Sequence, residues 1–264
     1  MKILVEHSTV YYYSEPIKHS SQVIRLIPFN NLHQNVIKWD VSINNDKFNG
    51  NIDWFGNNYV SLNIFNPISK IEIRASGFVE TNNNISNQEI GNIPLEYYLN
   101  NTNYVNHNIE LLEFANANYI DSKSINLTDK FNNLSAKILE TVPYITGVTN
   151  SSSSATDAFL LKAGVCQDHS HITLSIARYF GFPARYVSGY LHTPDTSHVA
   201  SHAWVEIFYD NAWHSFDVSN QCHAGEHHII LAYGLDYNDA SPVRGSRVGG
   251  GVESLETHAF VSNQ

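Results

Sequence analysis

A cysteine, an acid and two histidines crowd the octapeptide GVCQDHSH, residues 164–171. Cys166 could serve as a nucleophile, a metal ligand or a small buried residue, and its position narrows the choice. Ile172, Ile176 and Phe180 recur every four residues behind it. That spacing predicts a helix from about Cys166, stopped at Gly181 and barred from continuing by Pro183. The N-terminus of a helix carries unpaired N–H groups and partial positive charge. Both favour a thiolate, and the same N–H groups can hold an oxyanion. A nearby imidazolium adds to the effect.

Fourteen histidines compete for the partner's role, and a hairpin selects one. EIFYDNAWHSF has Asp210-Asn211 at its centre, a two-residue turn signal. Tyr209 then pairs with Ala212, which sets His202 opposite Ser219 and Trp204 opposite Asp217. Side chains alternate faces along a strand, so these four share one face. His202 and Asp217 become diagonal neighbours, about 7–8 Å apart at the backbone. Ala203, Val205 and Ile207 take the other face, which suits a core. The order Cys166, His202, Asp217 reads as nucleophile, general base and the acid that orients the base.

The elements that must position these groups change character along the chain. The first eighty residues read as strands: KILVEHSTVYYYS, SQVIRLIPF, VIKWDVSIN, NYVSLNIF and KIEIRASGFVE, parted by Asn-, Asp- and Gly-rich turns. Residues 1–80 are expected to form a β-sandwich-like domain. Residues 81–124 read as an Asn-rich linker with one helix near Asn108–Ala117. Residues 125–264 read as an α+β core with C-terminal strands. In it, Leu127–Glu140 is a helix capped by Thr128. SATD, residues 154–157, has capping-box form ahead of a second helix that Gly164 ends. The strands ARYVSGYL, HAWVEIFY and AWHSFDVS follow. The glycine cluster GSRVGGGV lacks a P-loop lysine and a following helix, so it reads as a loop.

Composition removes several classes of function. The chain has 264 residues, 42% hydrophobic and 15% charged, with a formal net charge of −10, which suits a globular protein and not a disordered one. No basic patch is visible to neutralise phosphates, so no nucleic-acid partner is expected. No apolar run approaches membrane-spanning length and KILVEHS makes no signal peptide, so a cytoplasmic location and no membrane partner are expected. Two cysteines make no disulfide framework at this size.

GVCQDHSH, YVSGYL, SHAWVEIF and FDVSN resemble, in order and spacing, the motifs of the bacterial transglutaminase-like superfamily, whose members often carry a cysteine-protease label. YYYSEPIKHSSQVIRLIP and DWFGNNYV are similar to the phrases of that family's β-rich leading domain, and HIILAYGLDYNDASPVRG to its C-terminal portion. The resemblance spans nearly the whole chain. It implies a papain-like core, a helix carrying the cysteine packed on an antiparallel sheet, with Cys166, His202 and Asp217 as the triad. Two positions depart from the family: Asp217-Val218-Ser219-Asn220 replaces Asp-Pro-Thr-Asn, and His169 stands where an aromatic is common. Losing the proline frees a backbone N–H and spares the carboxylate.

The resulting expectation is an acyl-transfer enzyme acting on peptide or protein amides through a thioester, hydrolytic in its favoured form. Transglutamination or deamidation is the alternative, and a non-catalytic peptide-binding module a further one. Gln167, His169 and Trp204 are candidates to line the site or touch substrate. His171 is read as a buried hydrogen-bonding residue and Asp168 as a helix-start acid. Zinc is the rival chemistry, because CQDHSH and CHAGEHH are rich in thiols and imidazoles. The ligand pairs of a structural site are missing, so no metal and no cofactor is expected. Cys222, five residues past Asp217, is a candidate to form a disulfide with Cys166.

Overall fold

The computed structural model describes residues 1–83, 93–120, 126–193 and 201–263. Its N-terminal half is organised by one 26-residue strand, β1 (Lys2–Ile27). The first part of β1 lies between β6 (Ile68–Thr81) and β12 (Glu253–Asn263), with Thr9 opposite both Ile73 and Thr257. Its second part lies between β5 (Asn58–Ile64) and β11 (Val243–Gly249), with Val23 opposite Ser61 and Arg244. The change of partners falls at a register break between Tyr12 and Ile17. Pro16 sits in that break, where its missing N–H costs no ladder bond. β2 (Gln34–Ile43), β3 (Asp46–Lys47) and β4 (Asn51–Ile52) complete an eight-stranded sheet. Ile3, Val5, Ile17, Ile24, Ile71 and Ile73 alternate inward along it into one core.

The C-terminal strands were expected with the core. They pair instead with β1, as one long edge interrupted after Gly249, which like Gly250 and Gly251 has positive φ. GSRVG of the glycine cluster is therefore strand, and only Gly250, Gly251 and Val252 form the turn. Within the 81–124 stretch, the described part holds a 3-10 turn (Leu95–Leu99) and α1 (Ile109–Ile120). Residues 84–88 of the Asn-rich run read as linker lie outside the described residues.

The second half stacks α2 (Leu127–Thr141), α3 (Ala155–Leu161) and α4 (Cys166–Tyr179) on an antiparallel sheet ordered β10 (His228–Gly234), β7 (Ala184–Leu191), β8 (Ser201–Tyr209), β9 (Ala212–Phe216). A short α5 (Tyr237–Ala240) follows β10. Asn126, not Thr128, caps α2: its side chain accepts the Asp129 N–H, while the Thr128 hydroxyl bonds Tyr209. Ser154 and Asp157 form the expected capping box of α3, and Lys162 in a left-handed conformation ends it two residues before Gly164. Every residue from Asp168 to Arg178 of α4 is buried. Ile172 and Ile176 pack against Ala203, Val205 and Ile207 of β8. Each such side chain contributes about 1.5–3 kcal/mol, so the helix that begins with Cys166 is fixed along its length. Among the described residues no helix is long and apolar enough to cross a membrane.

Two side-chain amides join the halves. β10 pairs with β7 on one edge only. On its other edge Gln34 gives its Nε2 to the Ile230 carbonyl (2.8 Å) and accepts the Ile230 N–H (2.7 Å). Asn57 does the same for Tyr233, at 2.8 and 2.7 Å. Each amide stands in for the backbone of an absent neighbouring strand. The DWFGN phrase presents Asn57: Asp53 accepts the N–H groups of Phe55 and Asn57, and Gly56 turns with φ +84. Tyr190, Ile229 and Leu231 of the second sheet then enter the N-terminal core.

Candidate active site

The start of α4 is set by Asp168. Its Oδ2 reaches back to the Val165 N–H (2.8 Å) and accepts the Thr149 hydroxyl (2.6 Å). A Cβ on Gly164 would lie 2.8 Å from that oxygen, so the glycine makes room for the acid. The spacing Gly-Val-Cys-Gln-Asp thereby puts Cys166 in the first helical turn. There its N–H and that of Gln167 have no intrahelical acceptor.

The β8–β9 hairpin has the register read from its turn: Tyr209 pairs with Ala212 and Val205 with Phe216. Asp210 and Asn211 hold φ of 50 and 60, a two-residue turn of the type that matches strand twist. The regular ladder stops at Phe216, short of the expected pairs of Trp204 and His202. Asp217 instead exchanges two backbone hydrogen bonds with Cys222, at 2.8 and 3.2 Å. Its carboxylate still meets His202, Nε2 to Oδ2 2.7 Å. With Nε2 engaged, Nδ1 is the nitrogen left for the Cys166 sulfur, which lines the same cleft and acts on the ring. Burial alone would lower the His202 pKa. The bond to Asp217 and the charges on Asp217 and Cys166 overcome it and push the ring up to about 10.

Asp217 is 1% exposed and satisfied from three sides. Besides His202, Oδ2 accepts Asn220 Nδ2 at 2.8 Å and His228 Nε2 at 3.2 Å, while Oδ1 accepts the Asn220 N–H at 3.2 Å. Burial works to raise its pKa, but the two histidines hold it well below the usual carboxylate range. His228 Nδ1 accepts the Gly225 N–H at 3.1 Å. Its single proton therefore sits on Nε2 and points at Asp217, and burial keeps the ring neutral by lowering its pKa.

His202, Asp217 and His228 bring ligand atoms within 4.8 Å of one another and could surround a cation. Metal binding would need a lone pair on His228 Nε2. Moving the proton to Nδ1 would then set it against the Gly225 N–H. The donor set fits a hydrogen-bonded carboxylate better than a metal centre.

The candidate residues separate into two groups. Cys166, Gln167 and His202 line one cleft of about 340 Å3, and buried Asp217 supports it from behind. His169 is 1% exposed and lies off the cleft, bonded to Ser219 Oγ (2.9 Å) and the Val142 carbonyl (2.7 Å). It ties α4 to the end of α2 and to the loop after Asp217. Trp204 is also buried, edge-on to His228 with ring centres 5.1 Å apart, and backs the histidines. Gly189 of YVSGYL lets it lie there, because a Cβ would come within 2.7 Å of the indole. His171 is fully buried, accepts the Tyr237 N–H, and is driven down to about 3 by burial and Arg178. Both cysteines are free, and burial followed by the Asp217 charge pushes the Cys222 thiol up to about 11.

Sequence reasoning missed His228 and Asn220. Asn220 stood inside FDVSN, three residues past the acid, a spacing suited to turning back on Asp217. His228 closes CHAGEHH, a segment whose sequence raises only metal binding, and it is the pairing of β10 with β7 that brings it to Asp217. Also missed was the second wall of the cleft: Thr9 and Tyr11 of β1 and Leu255 and Thr257 of β12 face Cys166 from the N-terminal sheet.

Residues 115–218 match the transglutaminase-like superfamily, and residues 3–80 match the bacterial transglutaminase-like N-terminal region. An uncharacterized protein of Mycobacterium leprae is 29% identical over 97% of this chain and 96% of its own. One of Mycobacterium tuberculosis is 28% identical over 50% of this chain and 46% of its own. Among solved structures, a "putative cysteine protease" from Cytophaga hutchinsonii superposes with a TM-score of 0.80 at 20% identity, over 99% of this chain and 90% of its own. That likeness extends the shared fold across both halves.

Proposed function

The chain belongs to the transglutaminase-like superfamily, with the bacterial N-terminal region ahead of the core, and on that premise we propose that it is a thiol acyl-transfer enzyme that hydrolyses amide or peptide bonds. One observation carries the reading: a buried carboxylate, a histidine and a cysteine at a helix start are joined in sequence at the floor of an open cleft. The Cys166 sulfur attacks the carbonyl carbon. The oxyanion lies against the free N–H groups of the first turn of α4. His202, held by Asp217 and charged beside the sulfur, gives its proton to the departing amine as the C–N bond breaks. The neutral ring then takes a proton from water, which attacks the thioester and frees the acid. Asp217 stays ionised throughout, keeping the ring oriented and its positive charge favoured.

An amine in place of water would turn the same acyl-enzyme to transglutamination, and a glutamine donor with water would give deamidation. Incubation with glutamine-containing and peptide acyl donors, followed by intact-mass measurement, tests the reading. An acyl adduct on Cys166 that decays to free acid, and is lost in Cys166→Ala, is expected. Saturable binding without any adduct or product would leave a peptide-binding module.

A further inference from the structure

A second cavity of about 530 Å3 continues from the first, and the two share Tyr11, Tyr237, Val243 and Leu255. The floor of both is one face of the β1/β11–β12 ribbon. Cross-strand pairs follow one another along it: Thr9 with Thr257, Tyr11 with Leu255, Tyr13 with Glu253, then Ser20 with Arg247 and Gln22 with Gly245. The groove therefore leads from Cys166 along the seam between the halves.

Its far end is built for a polar group. Gln22 is 7% exposed and Ser241 fully buried, both line the groove, and Gln22 Oε1 and Ser241 Oγ have no hydrogen-bond partner among the described residues. Native interiors rarely leave such atoms unsatisfied, so a ligand that bonds them is favoured there. Gly245 makes room for Gln22, since a Cβ would come within 2.7 Å of its Cγ. Two guanidinium groups line the same groove in a chain whose net charge is −10: Arg247 from the floor, and Arg244 from the opposite face of the edge strand, reaching the Asn238 carbonyl at the rim. Arg247 is paired with Glu253 at 3.1 Å. Arg244 makes one long contact, 3.4 Å to the Asn238 carbonyl, and no ion pair among the described residues. The Asp239 carboxylate lies within its electrostatic reach but makes no ion pair with it, so the planar guanidinium keeps its donors for a two-pronged contact with a carboxylate.

We infer that this groove is a substrate subsite that holds the carboxylate-bearing end of a peptide, with Arg244 as the anion-reading residue and Gln22 and Ser241 bonding the peptide beside it. The inference rests on the acyl-transfer reading only in taking Cys166 as the end where the scissile carbonyl lies. Its test needs no turnover. Synthetic acetylated peptides, with one glutamine followed by one to four alanines, are made in two forms, ending in a free carboxylate or in an amide. Binding to the full chain carrying Cys166→Ala is measured by calorimetry at low salt. The carboxylate form of at least one length should bind about tenfold tighter than its amide, the effect of one charge-assisted contact. Arg244→Gln should erase the difference and Arg244→Lys should keep part of it. Arg244 is exposed, and a circular dichroism spectrum of each variant is the check that it folds. Equal affinity of the two forms, no binding of either, or a preference that survives Arg244→Gln overturns the inference. Acyl-adduct formation in the unsubstituted enzyme is scored separately. Adducts without carboxylate preference remove the subsite and leave the chemistry. Arg244-dependent binding without adducts does the reverse.

Discussion

His228 gives its Nε2 proton to the same Asp217 oxygen that bonds His202, 3.2 Å away against 2.7 Å. The two rings thus compete for one acceptor, and His228 tempers how strongly Asp217 draws on His202. Because His228 does not line the cleft, its effect on the cysteine runs through the acid. Removing this competitor in His228→Ala should tighten the hold of Asp217 on His202 and speed alkylation of Cys166 by iodoacetamide about tenfold, the lower end for one hydrogen bond to a charged group. It should also displace the pH profile of that reaction. His228→Gln, which can donate from an amide, should reverse part of both. A fall in melting temperature with an unmoved pH profile would reduce His228 to packing.

Cys166 and His202 act as a pair, so removing the ring is the sharper test. With His202→Ala, the sulfur loses the charged ring that shares its cleft. Alkylation of Cys166 at neutral pH should fall by at least about tenfold, while Cys222, whose thiol is pushed up to about 11, stays slow in both proteins. Peptide mapping after a timed iodoacetamide pulse separates the two sites. Equal rates at Cys166 in both proteins would mean that the histidine does not activate it.

The pH dependence of stability follows from the same groups, in opposite directions. His202 binds its proton more tightly when folded, up to about 10 from 6.5. Its contribution is complete below 6.5 and is lost as pH rises towards 10. Asp217 is depressed below 3.8, so its contribution is complete above that value and is lost as pH falls further. Both act in full between about pH 4 and 6.5. Melting temperatures across pH 3 to 10 should show His202→Ala losing less than the wild type on the alkaline side. Asp217→Asn should flatten the acid side. Parallel curves for all three proteins would remove the linkage.

What the sequence shows of this site is what lies close along the chain. The Asp210-Asn211 turn fixes the hairpin register, and with it the neighbourhood of His202 and Asp217. Four-residue spacing and Gly181 fix α4, and so the place of Cys166. The sequence does not show contacts between elements paired far apart. His228 arrives through β10–β7 pairing, and Leu255 and Thr257 reach the cleft only because β12 returns to β1 across more than two hundred residues. His169 was misjudged for a different reason. On a helix buried from Asp168 onward, three residues past the cysteine is already interior.

Glu206 and Arg185 form a buried pair, 2.6 Å apart, with the guanidinium lying over the rings of Trp213 and Tyr233 at 4.2 and 3.7 Å. Burial alone would raise the Glu206 carboxyl, and the arginine opposes this. Truncation to Glu206→Ala leaves a buried cation without its carboxylate. Such losses cost about 3–5 kcal/mol. Urea unfolding should show that drop, with Arg185→Met in the same background restoring part of it. A loss under about 1 kcal/mol would mean that water or another acid replaces Glu206.

The join between the halves makes the last prediction, because it holds the groove's two walls in place. Gln34 satisfies both backbone groups of Ile230, and all of these atoms are buried. Gln34→Leu keeps the volume but leaves an N–H and a carbonyl unpaired on the edge of β10. With the Phe29 carbonyl that Gln34 Nε2 also bonds, three groups are orphaned and cost at least about 3 kcal/mol together, which in a chain of this size lowers the melting temperature by at least about 6 °C. Asn57→Leu should do the same at Tyr233. Gln34 and Ile230 lie away from the cysteine. Cys166 in the folded variant should therefore keep its alkylation rate at 25 °C, while carboxylate-peptide binding, which needs both walls, weakens. Alkylation and binding falling together would show that the join also sets the geometry of Cys166 and His202. Unchanged melting would show that the two amides cover β10 without stabilising it.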